Sequence, residues 1–251
     1  LQGYDIIKMD TGHEYSMFIT RDYKVYAIGY NNNGQLGVGD TTQRNIVTQV
    51  DVSGDIIDVR CGYNHTLFLT KDGKVYGCGN NANGHLGLNN TTQQNTPVQL
   101  MSDYTIIAIE THYYGSFFIT ENNEVYSCGH NNKGQLGDGT ATQRNSPVLV
   151  KIDEPVQKVS CTKSSSTSTL FLTTTNKVYG CGYNAHGQLG DGTTSQRNTP
   201  VLSLITENVI DINSGELHVL YLTDNYEAYA SGYNGQYQLG DSTNGNKTTP
   251  V

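Results

Sequence analysis

The chain has 251 residues, with 15 Lys and Arg against 23 Asp and Glu, for a net charge of −8. It is long enough to bury a core as one or two domains. Its cations are scattered singly, which excludes a basic stripe for nucleic acid or for an anionic membrane surface.

No apolar run approaches the roughly 20 residues of a membrane helix. The start, Leu1-Gln2-Gly3-Tyr4-Asp5, lacks the charged and apolar regions of a signal peptide. These features predict a chain without membrane insertion, with the cytoplasm favoured and an extracellular or cell-surface setting as the alternative. Beginning with Leu, it reads as a processed product or a segment of something longer. The 28 Gly and 18 Tyr, with no Trp, favour turns and strands over helices. Five Cys, an odd number with no CxxC pair, argue against a disulfide framework and against a zinc site.

In chain order, a first strand carries Ile7 and Met9, and a second is continuously apolar through Met17-Phe18-Ile19. A turn leads to a third strand, Val25-Tyr26, and the phrase Gly29-Tyr-Asn31-Asn-Asn-Gly34-Gln35-Leu36-Gly37 follows as a loop. The same succession returns with Ile57, Val59, Leu67-Phe68-Leu69, Val75-Tyr76 and Gly79, then closes on a short strand at Thr96-Pro97-Val98. Pro confines that strand to an edge, where no ladder donor is needed. Later copies carry Ile107 and Ile109, Val159, and Ile210 and Ile212 in the first strand. Their phrases open at Gly129, Gly182 and Gly232, so successive phrases lie 50, 50, 53 and 50 residues apart. The fourth strands are Ser146-Pro147-Val148, Thr199-Pro200-Val201 and Thr249-Pro250-Val251.

Short apolar strands bounded by turns are buried on both faces, which a blade between two neighbours satisfies. The prediction is an all-β chain, a β-propeller of five four-stranded blades, either a small closed ring or an arc of a larger one. One repeat-array domain covers 1–251, in units of about 1–50, 51–100, 101–150, 151–202 and 203–251.

Neither the Trp-Asp of WD40 units nor the Gly-Gly pair of kelch units is present. The phrase Gly-x-Asn-x-x-Gly-Gln-Leu-Gly after Val-Tyr, with Thr-Pro-Val downstream, resembles the regulator of chromosome condensation repeat family over essentially the whole chain. Three departures stand out. Ile28, Cys78, Cys128, Cys181 and Ser231 occupy the position where the family favours Trp. Tyr237 replaces the glycine found at Gly34, Gly84, Gly134 and Gly187, which implies strain or an altered loop if that position has positive φ. The fourth unit carries a three-residue insertion within Lys163-Ser-Ser-Ser-Thr-Ser168.

The phrase glycines Gly29, Gly79, Gly129, Gly182 and Gly232 read as structural turns rather than a phosphate cradle, since no helix follows them. Leu136-Gly137-Asp138-Gly139-Thr140 and its copy at Asp191 lack the alternate carboxylates of a calcium loop, so the Asp serves a turn. His65 and His218, three residues after Gly62 and Gly215, read as structural. The repeat-equivalent Cys78, Cys128 and Cys181 read as core thiols. No catalytic, metal or cofactor site is predicted.

Repeat-equivalent loop positions become rings of side chains. One ring is Tyr30, Asn80, His130, Tyr183 and Tyr233, and another is Arg44, Gln94, Arg144, Arg197 and Lys247. Aromatic and Arg residues are favoured at interfaces, which makes both rings candidate protein-binding sites. The alternative is that the tyrosines pack on a neighbouring blade and the cations tie down their own turns.

The leading functional expectation is a non-enzymatic interaction or scaffolding propeller with a protein partner. The resemblance implies a second, guanine nucleotide exchange on a small GTPase, since the family's founding member acts on Ran. Its loops do not match residue by residue here, and its basic tail is missing. A third is a secreted or surface propeller, or a self-assembling subunit, for which Asn64, Asn89, Asn90 and Asn246 would accept glycans.

Overall fold

The computed structural model describes residues 3–162, 164 and 167–251, so the expected insertion loop lies partly outside the described residues. Among the described residues there are 19 strands and no helix. The first sheet holds β1 (Ile6–Thr11), β2 (Tyr15–Thr20), β3 (Val25–Gly29) and β4 (Arg44–Val50). The second holds β5 (Ile56–Cys61), β6 (His65–Thr70), β7 (Val75–Gly79) and β8 (Gln94–Leu100). The third is β9 (Ile106–His112), β10 (Gly115–Thr120), β11 (Val125–Gly129) and β12 (Arg144–Leu149). The fourth is β13 (Val156–Cys161), β14 (Ser168–Thr173), β15 (Val178–Gly182) and β16 (Arg197–Leu202). The fifth holds β17 (Val209–Ser214), β18 (His218–Thr223) and β19 (Ala228–Gly232). Strand order follows the sequence within each sheet, and each sheet is one predicted blade.

By its backbone contacts the chain divides into two compact units. One comprises Leu1–Glu121, Cys128–His130 and Arg144–Pro147, the other Asn122–Ser127, Asn131–Gln143 and Val148–Val251.

The core lies between neighbouring blades. In the first unit Met17, Ile19, Val25, Ala27 and Leu36 of one blade meet Ile56, Val59, Cys61 and Phe68 of the next. In the second unit Leu170, Leu172 and Val178 meet Val209, Ile212, Val219 and Tyr221 in the same way. β6, β10 and β14 are buried at every position, as strands enclosed on both faces should be, which is why they read as unbroken apolar runs, whereas Leu220 of β18 is exposed.

Two expectations are corrected in detail. The register of β1 on β2 shifts between Ile6 and Lys8, and the same irregularity recurs at Ile56/Asp58 and Val209/Asp211. The extra residue bulges out, so Ile7, Ile57 and Ile210 are exposed, while Ile56 and Val209 just before the bulge are buried. Secondly, the fifth sheet has three strands. Residues 247–251 pair with β19 only through a bridge from Gly232 to Lys247 and a reciprocal pair of backbone bonds between Ala230 and Val251. Pro250 supplies no donor between them.

Charged side chains on first strands link successive blades. Lys8 pairs with Asp58 at 2.6 Å, Arg60 with Glu110 at 3.7 Å, and Lys158 with Asp211. Among the described residues no helix is long and apolar enough to cross a membrane.

Candidate protein-binding face

The phrase loop is organised by one buried asparagine. Asn184 Oδ1 accepts from Leu189 N at 3.0 Å, and its Nδ2 donates to Asp191 Oδ1 and to the carbonyls of Thr193 and Ser195. Asn31, Asn81, Asn131 and Asn234 fill the same role. Asp191 in turn accepts from the backbone and hydroxyl of Thr193, the turn role read from the sequence. Removing the Asn184 amide strands a buried N–H and several carbonyls. Asn184→Ala is therefore expected to cost about 1–3 kcal/mol in denaturant unfolding, and Asn184→Asp at least as much, because its second oxygen would face the Asp191 carboxylate and the carbonyls of Thr193 and Ser195 with no hydrogen to offer.

The glycine that opens each phrase ends a third strand with positive φ. Gly29 has φ 110°, and a Cβ there would lie 2.5 Å from Glu14 O. That close approach lets the next residue's amide bond back to the same carbonyl: Tyr30 N to Glu14 O, Asn80 N to Asn64 O, His130 N to Tyr114 O, Tyr183 N to Thr167 O and Tyr233 N to Leu217 O, all at 2.8–3.0 Å. The first ring position is thus pinned by its backbone in every blade, with its side chain half-buried. Asn80 Nδ2 donates to Asn33 Oδ1 of the preceding blade, and Tyr233 lies edge-on to His186, 5.2 Å between centroids.

The second ring position is engaged by its own loop. Arg44 pairs with Asp40 at 2.8 Å, Arg197 with Asp191 at 2.7 Å and Lys247 with Asp241 at 2.9 Å, while Gln94 donates to Thr92 O. The carboxyls of Asp40, Asp191 and Asp241 are held below their usual range, Asp40 and Asp241 chiefly by the hydrogen bond from the facing cation and Asp191 by bonds from Thr193 and Arg197 against the opposing cost of burial. Arg144 stands half-buried at the equivalent position.

Sequence reasoning missed the hairpin loops at the same strand ends. In the first unit His13, Tyr63 and Tyr113 stack in sequence, with centroids 4.1 and 4.2 Å apart, and Tyr114 lies edge-on to Tyr113 at 4.5 Å. His13 N donates to Tyr63 O and Tyr63 N to Tyr113 O, so the backbones step together with the rings. Their 50-residue spacing was the available signal.

His65 is structural. Its ring occupies the space a Cβ on Gly62 would need, and Nε2 lies 3.3 Å from Ser116 Oγ. His218 packs likewise on Gly215, and in the third blade the pair is inverted, with His112 on Gly115. Cys78, Cys128 and Cys181 are buried, with their thiols 3.3–3.5 Å from the carbonyls of Gln35, His85 and Gln135, and burial pushes their pKa up. Among the described residues no three His, Cys, Asp or Glu cluster to hold a metal.

The sequence model of the RCC1-like domain family matches residues 1–251. Human WBSCR16 is similar in structure over 98% of this chain and 66% of its own, at TM-score 0.85 and 24% identity. Prp20p of Saccharomyces cerevisiae, described with its binding to Gsp1p and histones, is similar over 100% of this chain and 63% of its own, at TM-score 0.83 and 18% identity. Yeast RCC1 (Prp20) crystallised with Kap60 gives TM-score 0.82 at 17% identity, over 100% of this chain and 61% of that one. The chain thus spans slightly less than two thirds of these proteins, and the likeness establishes the β-propeller fold. No curated protein matches it in sequence.

Proposed function

Since the chain belongs to the RCC1-like domain family, we propose that it is a non-enzymatic interaction propeller that binds a protein through the loop ends of its blades. One observation carries this reading. The same backbone bond fixes the first ring position in all five blades, while the side chain it presents changes from Tyr to Asn to His to Tyr to Tyr. A rigid scaffold with varied, half-exposed aromatic and polar side chains is what a specific protein contact requires.

Tyr30, Asn80 and His130, with the stacked His13, Tyr63 and Tyr113, form the candidate surface in the first unit. Tyr183 and Tyr233 form it in the second. Arg44, Arg197 and Lys247 serve mainly to hold their loops, and Gln94 and Arg144 complete that set. The cytoplasm remains the favoured compartment.

Affinity capture from the native source tests the reading. Wild type is expected to recover a protein partner that the Tyr183→Ala/Tyr233→Ala double variant loses at least about tenfold, a cost of ~1.4 kcal/mol, with the melting temperature unchanged. Equal recovery by both proteins would discard these residues, and substrate turnover abolished by point substitution would discard the non-enzymatic reading. A second reading is nucleotide exchange on a small GTPase, supported by the likeness to Prp20p and its described binding to Gsp1p. Catalytic acceleration of labelled-nucleotide release would favour it.

A further inference from the structure

The tip of the phrase loop is exposed in every blade, at Thr41, Thr91, Ala141, Thr194 and Asn244. In four blades the residue that follows is tied down by its amide, which donates to the side chain two positions earlier. Thr42 N reaches Asp40 Oδ1 and Thr92 N reaches Asn90 Oδ1 at 2.8 Å, while Thr142 N reaches Thr140 Oγ1 and Ser195 N reaches Thr193 Oγ1 at 3.2 Å. In the fifth blade the pair at the tip is Asn244-Gly245. Thr243 stands where Thr193 does and makes the same backbone and hydroxyl bonds to an aspartate, here Asp241. Yet among the described residues neither Gly245 N nor the Asn244 side chain has a hydrogen-bond partner. A Cβ on Gly245 would meet nothing within 4 Å.

An asparagine followed by glycine reacts with its own backbone when the two are free to bend together. The attacking group is the glycine amide nitrogen and the target is the asparagine Cγ, and glycine has no side chain to crowd that approach. The chain holds four Asn-Gly pairs. Three are restrained. Gly34 N and Gly84 N donate to Asn31 O and Asn81 O at 2.8 Å, so both attacking nitrogens are engaged. In the third pair the target is engaged instead: Asn234 is buried, its Nδ2 donates to Asp241 Oδ1 and Thr243 O, and its Oδ1 accepts from Leu239 N. At Asn244 both groups are free and the tip is exposed, where local motion is least opposed.

We propose that Asn244 is a site of spontaneous deamidation, with water as the only co-reactant, and that the product loosens the loop that carries Lys247. Gly245 N gives its proton to solvent and bonds to Asn244 Cγ, and the side-chain nitrogen takes up a proton and leaves as ammonia, closing a succinimide ring. Water then adds to one of the two ring carbonyls and breaks that carbon's bond to nitrogen. Addition at Cγ yields aspartate. Addition at the backbone carbonyl yields isoaspartate, whose main chain is longer by a methylene. Water enters, ammonia leaves, and nothing is oxidised. Asn234 clasps the loop on both sides of the site, through Nδ2 on Thr243 O at 2.8 Å and through its backbone N on Asn246 Oδ1 at 3.0 Å. Lengthening the chain between these two bonds pulls against both. The new carboxylate also competes with Asp241 for Lys247, which it pairs at 2.9 Å. The inference goes beyond the loop-end reading, and because it is read by mass on purified protein, either can fail without the other.

The full chain is held in mildly alkaline buffer and sampled by peptide mass mapping, beside the same protein unfolded in urea. In the folded protein Asn244 is expected to convert at least about tenfold faster than Asn33, Asn83 or Asn234, which must first open locally. In urea the four rates should converge. Fragmentation by electron transfer distinguishes isoaspartate from aspartate. Gly245→Thr supplies the residue found at Thr42, Thr92 and Thr142, in open space and at a glycine without positive φ, so folding is not at risk. It should suppress the conversion, with the melting temperature unchanged. In the isoaspartate form the Asn234 amide is expected to exchange about tenfold faster than in fresh protein. Equal conversion of all four pairs in the folded protein, or another pair ahead of Asn244, would overturn the site. Conversion that leaves Asn234 exchange unchanged would overturn the loosening of the loop.

Discussion

Replacing Phe68 by Ala is expected to cost about 3–5 kcal/mol, the range for emptying a fully enclosed aromatic site. Phe68 has no exposed surface and belongs to the cluster that joins the first blade to the second. It pairs across the sheet with Val59 on one side and Tyr76 on the other, so both flanking strands hold the site open when the ring is removed. The cavity also faces Met17 and Ile19 of the neighbouring blade, which are fixed by their own strand and cannot collapse into it. The loss should appear as a lower denaturant midpoint. Met9→Ala is the control: Met9 holds the repeat position of the buried Val59 but is 70% exposed, so its removal should stay within about 0.5 kcal/mol. Similar costs for both variants would mean that the interblade contact is not where the stability resides.

Acidification from pH 7 to pH 5 is expected to remove about 2 kcal/mol of stability through His112 alone, given an unfolded pKa near 6.5. Burial, and then repulsion from His65 and His130, lowers the pKa of His112 to about 3. In the unfolded chain the imidazole takes up its proton as the pH falls through 6.5. In the folded chain it stays neutral until about 3. The unfolded state therefore binds more protons across that window, and stability falls with pH throughout it, by about 1.4 kcal/mol per pH unit for each such group. His85, held well below its usual value by burial first and by His65, His112 and His130 next, acts in the same direction. The carboxylates with lowered values take up protons in the unfolded chain only near pH 4, so between pH 7 and 5 they contribute little to the difference. Urea midpoints at pH 7 and 5 should separate clearly for wild type and by distinctly less for His112→Phe, which keeps a ring against Gly115 and Phe117. An equal separation in the variant would remove His112 from the account.

The repeat made the sheets legible, because each marker recurs in step: the apolar second strand, Val-Tyr, the glycine phrase and the proline strand. Burial was less legible where geometry departs from simple alternation. Ile7, Ile57 and Ile210 look like core residues in a strand of period two, and a bulge turns them outward while the preceding residue takes their place. Met9 matches Val59 in type and position, yet Met9 is exposed where Val59 is buried, a difference that residue type alone does not show. The hairpin stack escaped notice because its column reads His13, Tyr63, Tyr113 and then loses its aromatic character, as at Glu216. The cations were legible as a ring and, in the alternative reading, as anchors of their own turns, but their partners Asp40, Asp191 and Asp241 were not, since that pairing depends on how each turn folds back on itself.

The carbonyls of Gln35, His85, Gln135 and Gln188, each capped by a hydroxyl of the following blade, show that the chain preserves places rather than letters. In three blades the hydroxyl comes from the second strand, at Thr66, Ser116 and Thr169, beside a thiol on the third strand at Cys78, Cys128 and Cys181. In the last blade the second strand offers Val219, and the hydroxyl moves across the sheet to Ser231 while still meeting the same carbonyl. Taken one column at a time, the valine looks like a loss and the serine like noise. Taken together they are a transposition that leaves the bond intact. A propeller can therefore diverge far in sequence while its seams keep the same grammar, each pair of neighbouring strands settling between themselves which one speaks.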